Sequence, residues 1–268
     1  MPARRVSATS ESVSFDPAVE YYDKTRSLPA NVHSQVIDLL FAELRDRGPV
    51  LEVGVGTGRV ALDLHRRGIE IAGVDLSPAM LGVLVQKAEG IPFPLAVGDA
   101  VTLPFADGIF ETAYGAHILQ LISNWAGALT EMARVVRPGG TVLIDMANWV
   151  NRDAGRTIYE RLCHELGVEN LHRGVIDVEP VDELMASLGT KKRTLPEVEH
   201  SVTRTIRHLI DRLESNQSAT TWHLSDAERT TGCAAVRKWA ENEYGDIDKP
   251  IEIIRNVRMF AYDLLRSP

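Results

Sequence analysis

The sequence predicts a doubly wound α/β fold, in which helices cover both faces of a mostly parallel, seven-stranded sheet. Between residues 50 and 146, short apolar runs rich in β-branched residues alternate with segments of helical periodicity. This alternation is the pattern of successive βαβ units. The first run, PVLEVGV, is apolar at nearly every position, as expected of a strand buried on both faces.

The elements around this first strand can be assigned in order. Residues 16–47 are predicted to be helical, because Val32, Val36, Leu40 and Leu44 recur at helical spacing before Gly48-Pro49. A helix over residues 58–66 and a strand EIAGVDL follow. Ser77 is a suitable N-cap and Pro78 a suitable first-turn residue for the helix AMLGVLVQKA.

The alternation then continues to the end of the regular region. FPLAVGDA is predicted to be a strand, FETAYGAHIL a strand running into a loop, and NWAGALTEMARVV a helix. After the turn RPGG, GTVLIDMA is the next strand. Residues 15–48 would then be N-terminal helices of a single domain over residues 15–268, preceded by a disordered leader at residues 1–14.

The pattern becomes irregular after residue 148, and we expect residues 148–230 to form a partly inserted helical lid or substrate region. Within the remaining chain, PVDELMASLG is predicted to be a helix and VEHSVT a strand. Two further helices are predicted at residues 203–215 and 225–243, and EIIRNVRMFAYDL is the last strand.

Composition argues against several classes of function. The 268 residues include 29 Lys and Arg against 37 Asp and Glu, giving a net charge of −8. This charge disfavours binding to nucleic acid or to an anionic membrane. With two cysteines, no CxxC and no Cys/His cluster, neither a disulfide framework nor a metal site is expected. No secretion signal or bilayer-spanning run is recognised, so we predict a cytoplasmic protein, as a monomer or homodimer.

The stretch EVGVGTG is the main functional signal. Gly54, Gly56 and Gly58 follow Glu52 at the end of the first strand, and Asp75 ends the next strand, 21 residues after Gly54. The glycines could serve a tight turn alone, since they tolerate positive φ. In the first βαβ unit, however, such a turn also lets a nucleoside ligand approach the backbone, and an acid like Asp75 suits ribose hydroxyls.

Two ligands fit this pattern, and the sequence favours one. A dinucleotide site normally has G-x-G-x-x-G, but Arg59 stands at the third glycine position. Glu52 would also oppose a diphosphate, whereas an acid there suits a ligand with a cationic end. S-adenosylmethionine has a sulfonium and an ammonium group and no phosphate, so we expect it rather than NAD.

The stretch VLEVGVGTGRVALDLHRRGIEIAGVDLSPAML resembles motif I and the following strand of class I S-adenosylmethionine-dependent methyltransferases. The segment from VGDAVTLPF to GGTVLI is similar to the middle of that family, and the nearest branch includes quinone-biosynthesis enzymes acting on small molecules. The resemblance covers residues 49–146 and implies a Rossmann-like fold.

The resemblance also implies cofactor contacts. The three glycines would line the methionine moiety, with Glu52 near its ammonium. The adenosine would meet residues at the ends of the next two strands, namely Asp75 at the ribose, Leu76 and Met80 beside it, and Asp99 and Ala100 at the adenine. The remaining implied contacts are Ala116 and His117 near the methionine, and Tyr22 and Arg26 in a segment that folds over the cofactor.

The reaction implied is in-line displacement of the methyl group by an oxygen, nitrogen or carbon nucleophile on a small-molecule acceptor. His117 is the first candidate for a catalytic base, because imidazole titrates near neutral pH; alternatively it orients a ligand by a hydrogen bond. We predict that the N-terminal helices and the irregular region form the acceptor pocket. The candidate contacts are Tyr21, Trp149, Tyr159 and Trp222.

Two other functions stay open at this point. One is an NAD(P)-dependent oxidoreductase, which Arg59 at the third glycine position and the absence of a Tyr-x-x-x-Lys dyad disfavour. The other is a non-catalytic module that binds S-adenosylmethionine or its product.

Overall fold

The structure is a computed structural model that describes residues 12–146 and 154–265. These residues divide into two compact units, which are described separately. One comprises residues 12–146, 174–198 and 257–265 and contains the predicted glycine turn. The other comprises residues 154–173 and 199–256.

The sheet is mostly parallel, and its strand order is β3-β2-β1-β4-β5-β8-β6, with β7 also paired to β8. Strands β1 to β5 are mutually parallel, whereas β8 runs antiparallel to both β5 and β6. The strands are β1 Val50–Val53, β2 Ile71–Asp75, β3 Leu95–Val97, β4 Phe110–Ala116, β5 Val136–Met146, β6 Thr190–Thr194, β7 Val198–Arg204 and β8 Ile251–Leu264.

The strand order reverses beside β1, since β2 lies on one side of it and β4 on the other. In doubly wound sheets the crevice at such a point, outside the carboxyl ends of the strands, is where ligands bind. The described α-helices are α1 Tyr22–Arg26, α2 Ala30–Leu44, α3 Ala61–Arg66, α4 Pro78–Lys87, α5 Trp125–Val135, α6 Ala154–Leu166, α7 Val178–Ser187, α8 Ile206–Glu214 and α9 Asp226–Tyr244.

Helices cover both faces of the sheet, as predicted. Alternate strand residues enter two separate cores: Tyr114 and Leu143 point into one, Ala113 and Val142 into the other. The first core also contains buried residues of α2, α3 and α4, and the second contains those of α5 and α7. The near-continuous apolar runs of β1, β4 and β5 therefore reflect burial on two sides.

Several element boundaries differ from the prediction. The helical stretch predicted over residues 16–47 is a 3-10 turn, Asp16–Ala18, followed by α1 and α2, because Pro29 caps α2 and separates the two helices. The RPGG segment belongs to β5, where the register with β4 shifts between Phe110 and Thr112. Likewise α8 begins at Ile206, since β7 extends to Arg204.

Within residues 12–146 and 154–265, the sheet has eight strands, whereas seven were predicted. The additional strand is β6, whose sequence TKKRT carries three cations and shows no apolar alternation. It pairs along the second half of β8, from Thr190 opposite Leu264 to Thr194 opposite Phe260. Arg193 anchors it by donating to Asp263 at 2.5 and 2.9 Å and to Glu43 at 2.8 Å.

The second unit has a helical core of its own. Helices α6, α8 and α9 contribute buried side chains such as Leu162, Ile210 and Val236 to one cluster. Ser225 caps α9 in a capping box with Glu228, so the prediction of a helix over residues 225–243 is confirmed. Throughout residues 12–146 and 154–265, no helix combines the length and apolarity needed to cross a bilayer.

Candidate functional site

Acidic side chains stand at the carboxyl ends of three parallel strands. Glu52 lies one residue before the end of β1, Asp75 ends β2, and Asp145 lies one residue before the end of β5. The strand register brings Glu52 opposite Tyr114 of β4, and Asp145 opposite Ala116. Because parallel strands end at the same edge, these groups surround the reversal point of the sheet.

The three glycines of the turn all have positive φ, at +75° for Gly54, +53° for Gly56 and +75° for Gly58. A Cβ on Gly54 would lie 2.5 Å from Ile118, and one on Gly58 would lie 2.8 Å from Leu84. At Gly56 the nearest atoms would be 3.9 and 4.0 Å away, the latter being Asp75 Oδ2. Gly54 and Gly58 are therefore required by packing, while Gly56 has room for a Cβ at ordinary contact distances.

Asp75 is fixed by two backbone amides before any ligand arrives. Gly56 N–H donates to Oδ2 and Ser77 N–H to Oδ1, each at 2.8 Å. Burial raises the pKa of Asp75, although these amide bonds act in the opposite direction. The turn after β1 and the N-terminus of α4 thus hold one carboxylate between them.

Glu52 is a buried acid with an unused oxygen. Glu52 is 3% exposed, and its Oε2 has no hydrogen-bond partner among the described residues. Burial raises the pKa of Glu52 to about 8, partly offset by the positive charge of Arg59. An unsatisfied buried acid is unfavourable in the free protein, so this position is suited to a cationic or donor group supplied from outside.

His117 and Asp145 meet where β4 and β5 end. His117 N–H donates to the Asp145 carbonyl oxygen at 3.2 Å, and its Nε2 lies 3.3 Å from Asp145 Oδ2. The His117 side chain is 49% exposed, whereas Asp145 is 6% exposed and burial raises the pKa of its carboxyl. The pair therefore joins a buried acid to an accessible imidazole.

The N-terminal segment is attached to the glycine turn through α1. Asp23 accepts from the Thr57 hydroxyl at 2.7 Å and pairs with Lys87 at 2.6 Å. Although burial acts to raise the pKa of Asp23, the bonds from Lys87 and Thr57 lower it overall. Arg59 donates to the Arg26 carbonyl oxygen, and its guanidinium lies 5.8 Å from the Tyr22 ring centre.

The predicted adenine contact, Asp99, lies just after β3. Its Oδ1 accepts from the Ser12 hydroxyl at 2.7 Å and from Val101 N–H at 3.2 Å. Ser12, within the proposed leader, is buried, while residues 1–11 lie outside the described part of the chain. Of the other predicted adenosine contacts, Leu76 and Ala100 are half-buried and Met80 is fully buried.

The predicted site residues fall into two groups. Those of β1, β2, β4, α1 and the connecting turns belong to the unit that contains the glycine turn, as does Tyr21. Tyr159 and Trp222 belong to the other unit, where Tyr159 accepts from Leu171 N–H at 2.8 Å and Trp222 donates to the Asn216 carbonyl at 2.7 Å. Trp149 lies outside the described residues.

Three residues near the turn were not predicted as site residues, namely Asp145, Arg59 and Asp23. Asp145 had a readable signal, since LIDMA places an acid at a strand end just as LEVG does. Arg59 was considered only as a break in a glycine pattern. Asp23 had no signal, because its contact with Thr57 joins residues 34 positions apart. Within residues 12–146 and 154–265, no group of three acidic, His or Cys side chains could hold a metal ion.

The sequence of this region matches a known domain family. The profile of a methyltransferase domain matches residues 51–144. A demethylmenaquinone methyltransferase of Thermus thermophilus is 34% identical over 41% of this chain and 51% of its own length. A malonyl-[acyl-carrier protein] O-methyltransferase of Halorhodospira halophila is 34% identical over 48% of this chain and 45% of its own. The chain spans about half the length of these relatives.

The fold also has solved counterparts. The crystal structure of the YcgJ protein of Bacillus subtilis superposes with a TM-score of 0.60 at 17% identity, covering 89% of this chain and all of that one. At this identity the likeness establishes the Rossmann-like fold alone. The match of residues 51–144 to a methyltransferase domain, together with the similar relatives, confirms the expected resemblance to class I S-adenosylmethionine-dependent methyltransferases.

Proposed function

We propose that this chain is an enzyme that transfers the methyl group of S-adenosylmethionine to an oxygen, nitrogen or carbon atom of a small-molecule acceptor. The proposal rests on two neighbouring features: Glu52 is a buried acid with an unpartnered oxygen among the described residues, and Gly56 has no atom closer than 3.9 Å to the position of a Cβ. The first suits a cationic ligand and the second admits a ligand close to the backbone.

The residues present fit this cofactor at both of its ends. Glu52 would hold the ammonium group, and the pre-bonded Asp75 would accept from the ribose hydroxyls. Asp99 would accept from the adenine amine, with Ala100, Leu76 and Met80 beside the adenosine. When bound, S-adenosylmethionine supplies an electrophilic methyl group on a sulfonium. Its leaving group would be a neutral thioether.

The chain itself would align the acceptor with the methyl group. For an acceptor that loses a proton, it would also supply a base. His117 is placed for either role, since its imidazole is accessible at the end of β4. Gly54, Gly58 and Ala116 would border the methionine part, and Tyr22 and Arg26 would cover it. The prediction that residues 148–230 contribute a lid, with Tyr159 and Trp222 as acceptor contacts, stays a prediction, as do cytoplasmic location and a monomeric or dimeric state.

The relatives favour a small acceptor without selecting one. Their names specify a demethylmenaquinone in one case and a malonyl group on an acyl-carrier protein in another. The two acceptors differ widely in shape and polarity.

Calorimetry with S-adenosylmethionine, S-adenosylhomocysteine and NADH tests the cofactor assignment. We expect both adenosyl compounds to bind and NADH not to bind. Because the pKa of Glu52 is about 8, the acid is mainly protonated at pH 7, and a bound ammonium should release up to about one proton. Titrations at pH 7 in buffers of different ionisation enthalpy measure this release.

Glu52→Gln is the matched variant, since it keeps the side-chain shape and removes the titrating group. It should bind S-adenosylhomocysteine more weakly and release fewer protons on binding. Any protons that come from the ligand itself are the same for both proteins, so the difference in release reports on Glu52. NADH binding without response to the adenosyl compounds would refute the proposed function. A screen of metabolite fractions with a radiolabelled methyl donor would then identify the acceptor by the fraction that gains label.

A further inference from the structure

The two strand ends that carry His117 and Asp145 hold the imidazole in a defined position. The backbone of His117 is tied on both sides, because its N–H donates to Asp145 O at 3.2 Å and its carbonyl accepts from Gln120 Nε2 at 2.7 Å. Its φ is +53°, in the left-handed region that is unfavourable for a residue with a side chain. Local geometry of this kind persists where the surrounding structure enforces it.

The carboxyl of Asp145 is buried and points one oxygen at the imidazole. Oδ2 lies 3.3 Å from His117 Nε2, while Oδ1 has no hydrogen-bond partner within the described ranges. Burial raises the pKa of Asp145, and electrostatic interaction with His117 and Arg59 acts in the opposite direction. Buried Tyr114, whose pKa burial raises, couples electrostatically to both Asp145 and Glu52. The imidazole of His117 is thus accessible, whereas the acids Asp145 and Glu52 behind it are buried.

We propose that Asp145 is the positioning residue of His117, and that its carboxylate selects the imidazole tautomer with the proton on Nε2. A carboxylate accepts but does not donate, so it stabilises Nε2–H and leaves the lone pair on Nδ1. This proposal rests on the proposed function, in which His117 acts on the acceptor, and it assigns the reactive nitrogen there.

In the resulting reaction, His117 Nδ1 takes the proton that the acceptor's nucleophile loses as the nucleophile's lone pair forms the bond to the methyl carbon. The electron pair of the broken carbon–sulfur bond stays on sulfur. Asp145 then faces an imidazolium at Nε2 and stabilises its charge, and Nδ1 later gives its proton to water. Atoms and charges balance without a metal or an external oxidant.

Nitrogen-15 NMR of histidine-labelled protein tests the assignment without an acceptor. At alkaline pH, where imidazoles are neutral, the wild-type chain should show His117 almost wholly as the Nε2–H tautomer. In Asp145→Asn the signal should move to a mixture or to Nδ1–H, because an amide can also donate. Asp145→Glu, which restores a carboxylate, should return the signal towards the wild-type form.

The chain offers a matched control in His33, whose Nε2 lies 2.8 Å from Asp63 Oδ2 outside the candidate site. Asp63→Asn should change the tautomer signal of His33 and leave that of His117 and the rate of methyl transfer unchanged. With an acceptor from the label screen, Asp145→Asn should lower kcat on the order of 100-fold with little change in binding of S-adenosylhomocysteine.

The outcomes separate the two proposals. If the chain binds S-adenosylhomocysteine but wild-type His117 is the Nδ1–H tautomer, the positioning role of Asp145 is refuted and the proposed function stands. An unchanged His117 signal in Asp145→Asn leads to the same conclusion. Since the wild-type measurement needs no variant, a failure of Asp145→Asn to fold leaves the test intact. If the chain binds neither adenosyl compound, the proposed function itself fails.

Discussion

At the scale of single residues, the candidate site contains acids placed where burial disfavours their charge. Glu52, Asp75 and Asp145 all have pKa values raised by burial, and each lies at the last or the last but one position of its strand. Such groups weaken the fold at neutral pH, so their presence is better explained by a ligand than by stability. The three acids differ in their partners, since two backbone amides satisfy Asp75 while Glu52 and Asp145 each keep an unpartnered oxygen within the described chain.

Replacing Glu52 by Gln should make stability less dependent on pH. The folded-state pKa of Glu52, about 8, lies above the ordinary value of 4.5, so its contribution is fully present below pH 4.5 and is lost as pH rises towards 8. The loss amounts to at most about 1.4 kcal/mol per pH unit in that interval. Urea unfolding at pH 5 and pH 8 should therefore show a smaller decrease for Glu52→Gln than for the wild type. Equal decreases in the two proteins would contradict the shifted pKa.

At the scale of elements, the turn between β1 and α3 has two separate requirements for glycine. A Cβ on Gly54 would clash with Ile118, and one on Gly58 would clash with Leu84. Gly56, in contrast, has room for a Cβ. All three have positive φ, so each substitution carries a conformational penalty, but only two add a steric clash. The turn can therefore be tested one residue at a time.

Gly56→Ala should impair ligand binding more than folding. We expect it to reduce the free energy of unfolding by about 1 kcal/mol, from backbone strain alone, and to weaken binding of S-adenosylhomocysteine clearly. Gly58→Ala, which clashes with Leu84 and Leu62, should reduce the free energy of unfolding by more. Denaturant unfolding and calorimetry measure both effects. If Gly56→Ala bound the ligand as the wild type does, the turn would not be in contact with it.

At the scale of the whole molecule, the antiparallel edge of the sheet is fastened by ion pairs. Arg193 of β6 bonds to Asp263 of β8 and to Glu43 of α2, and Asp263 also accepts from Thr141 of β5 at 2.8 Å. Arg193 lowers the pKa of Asp263. This cluster connects a helix with three strands of the unit that contains the candidate site.

Arg193→Met should destabilise that unit by about 1 kcal/mol, a figure discounted for the partial exposure of the guanidinium. Because the pKa of Asp263 is lowered, its share of this stabilisation is present at neutral pH and is lost as pH falls through the folded-state pKa of Asp263. Thermal unfolding at pH 7 and pH 3 checks this dependence. The control is Arg207→Met, which breaks an exposed pair with Asp248 and should cause no measurable change. A larger effect at pH 3 than at pH 7 would contradict the prediction.

The sequence predicted the parts of the fold whose signal is local. Strands β1, β2, β4 and β5 are runs buried on both faces, so their apolar residues mark them. Strand β6 escaped prediction because TKKRT is polar and its pairing with β8 joins residues about 70 positions apart. The same limit applies to the site: the glycine turn and Asp75 lie within one βαβ unit, whereas the Asp145–His117 and Asp23–Thr57 contacts depend on tertiary folding.

The prior bonding of Asp75 to Gly56 and Ser77 has a consequence for turnover. These amides fix the orientation of the carboxylate, and the ribose that it is proposed to bind is identical in the methyl donor and in the spent by-product. On the proposed function, the by-product should therefore compete with fresh donor on nearly equal terms. Sustained catalysis would then depend on a separate activity in the same cell that removes the by-product, and inhibition should lessen when such a hydrolase is added to the assay.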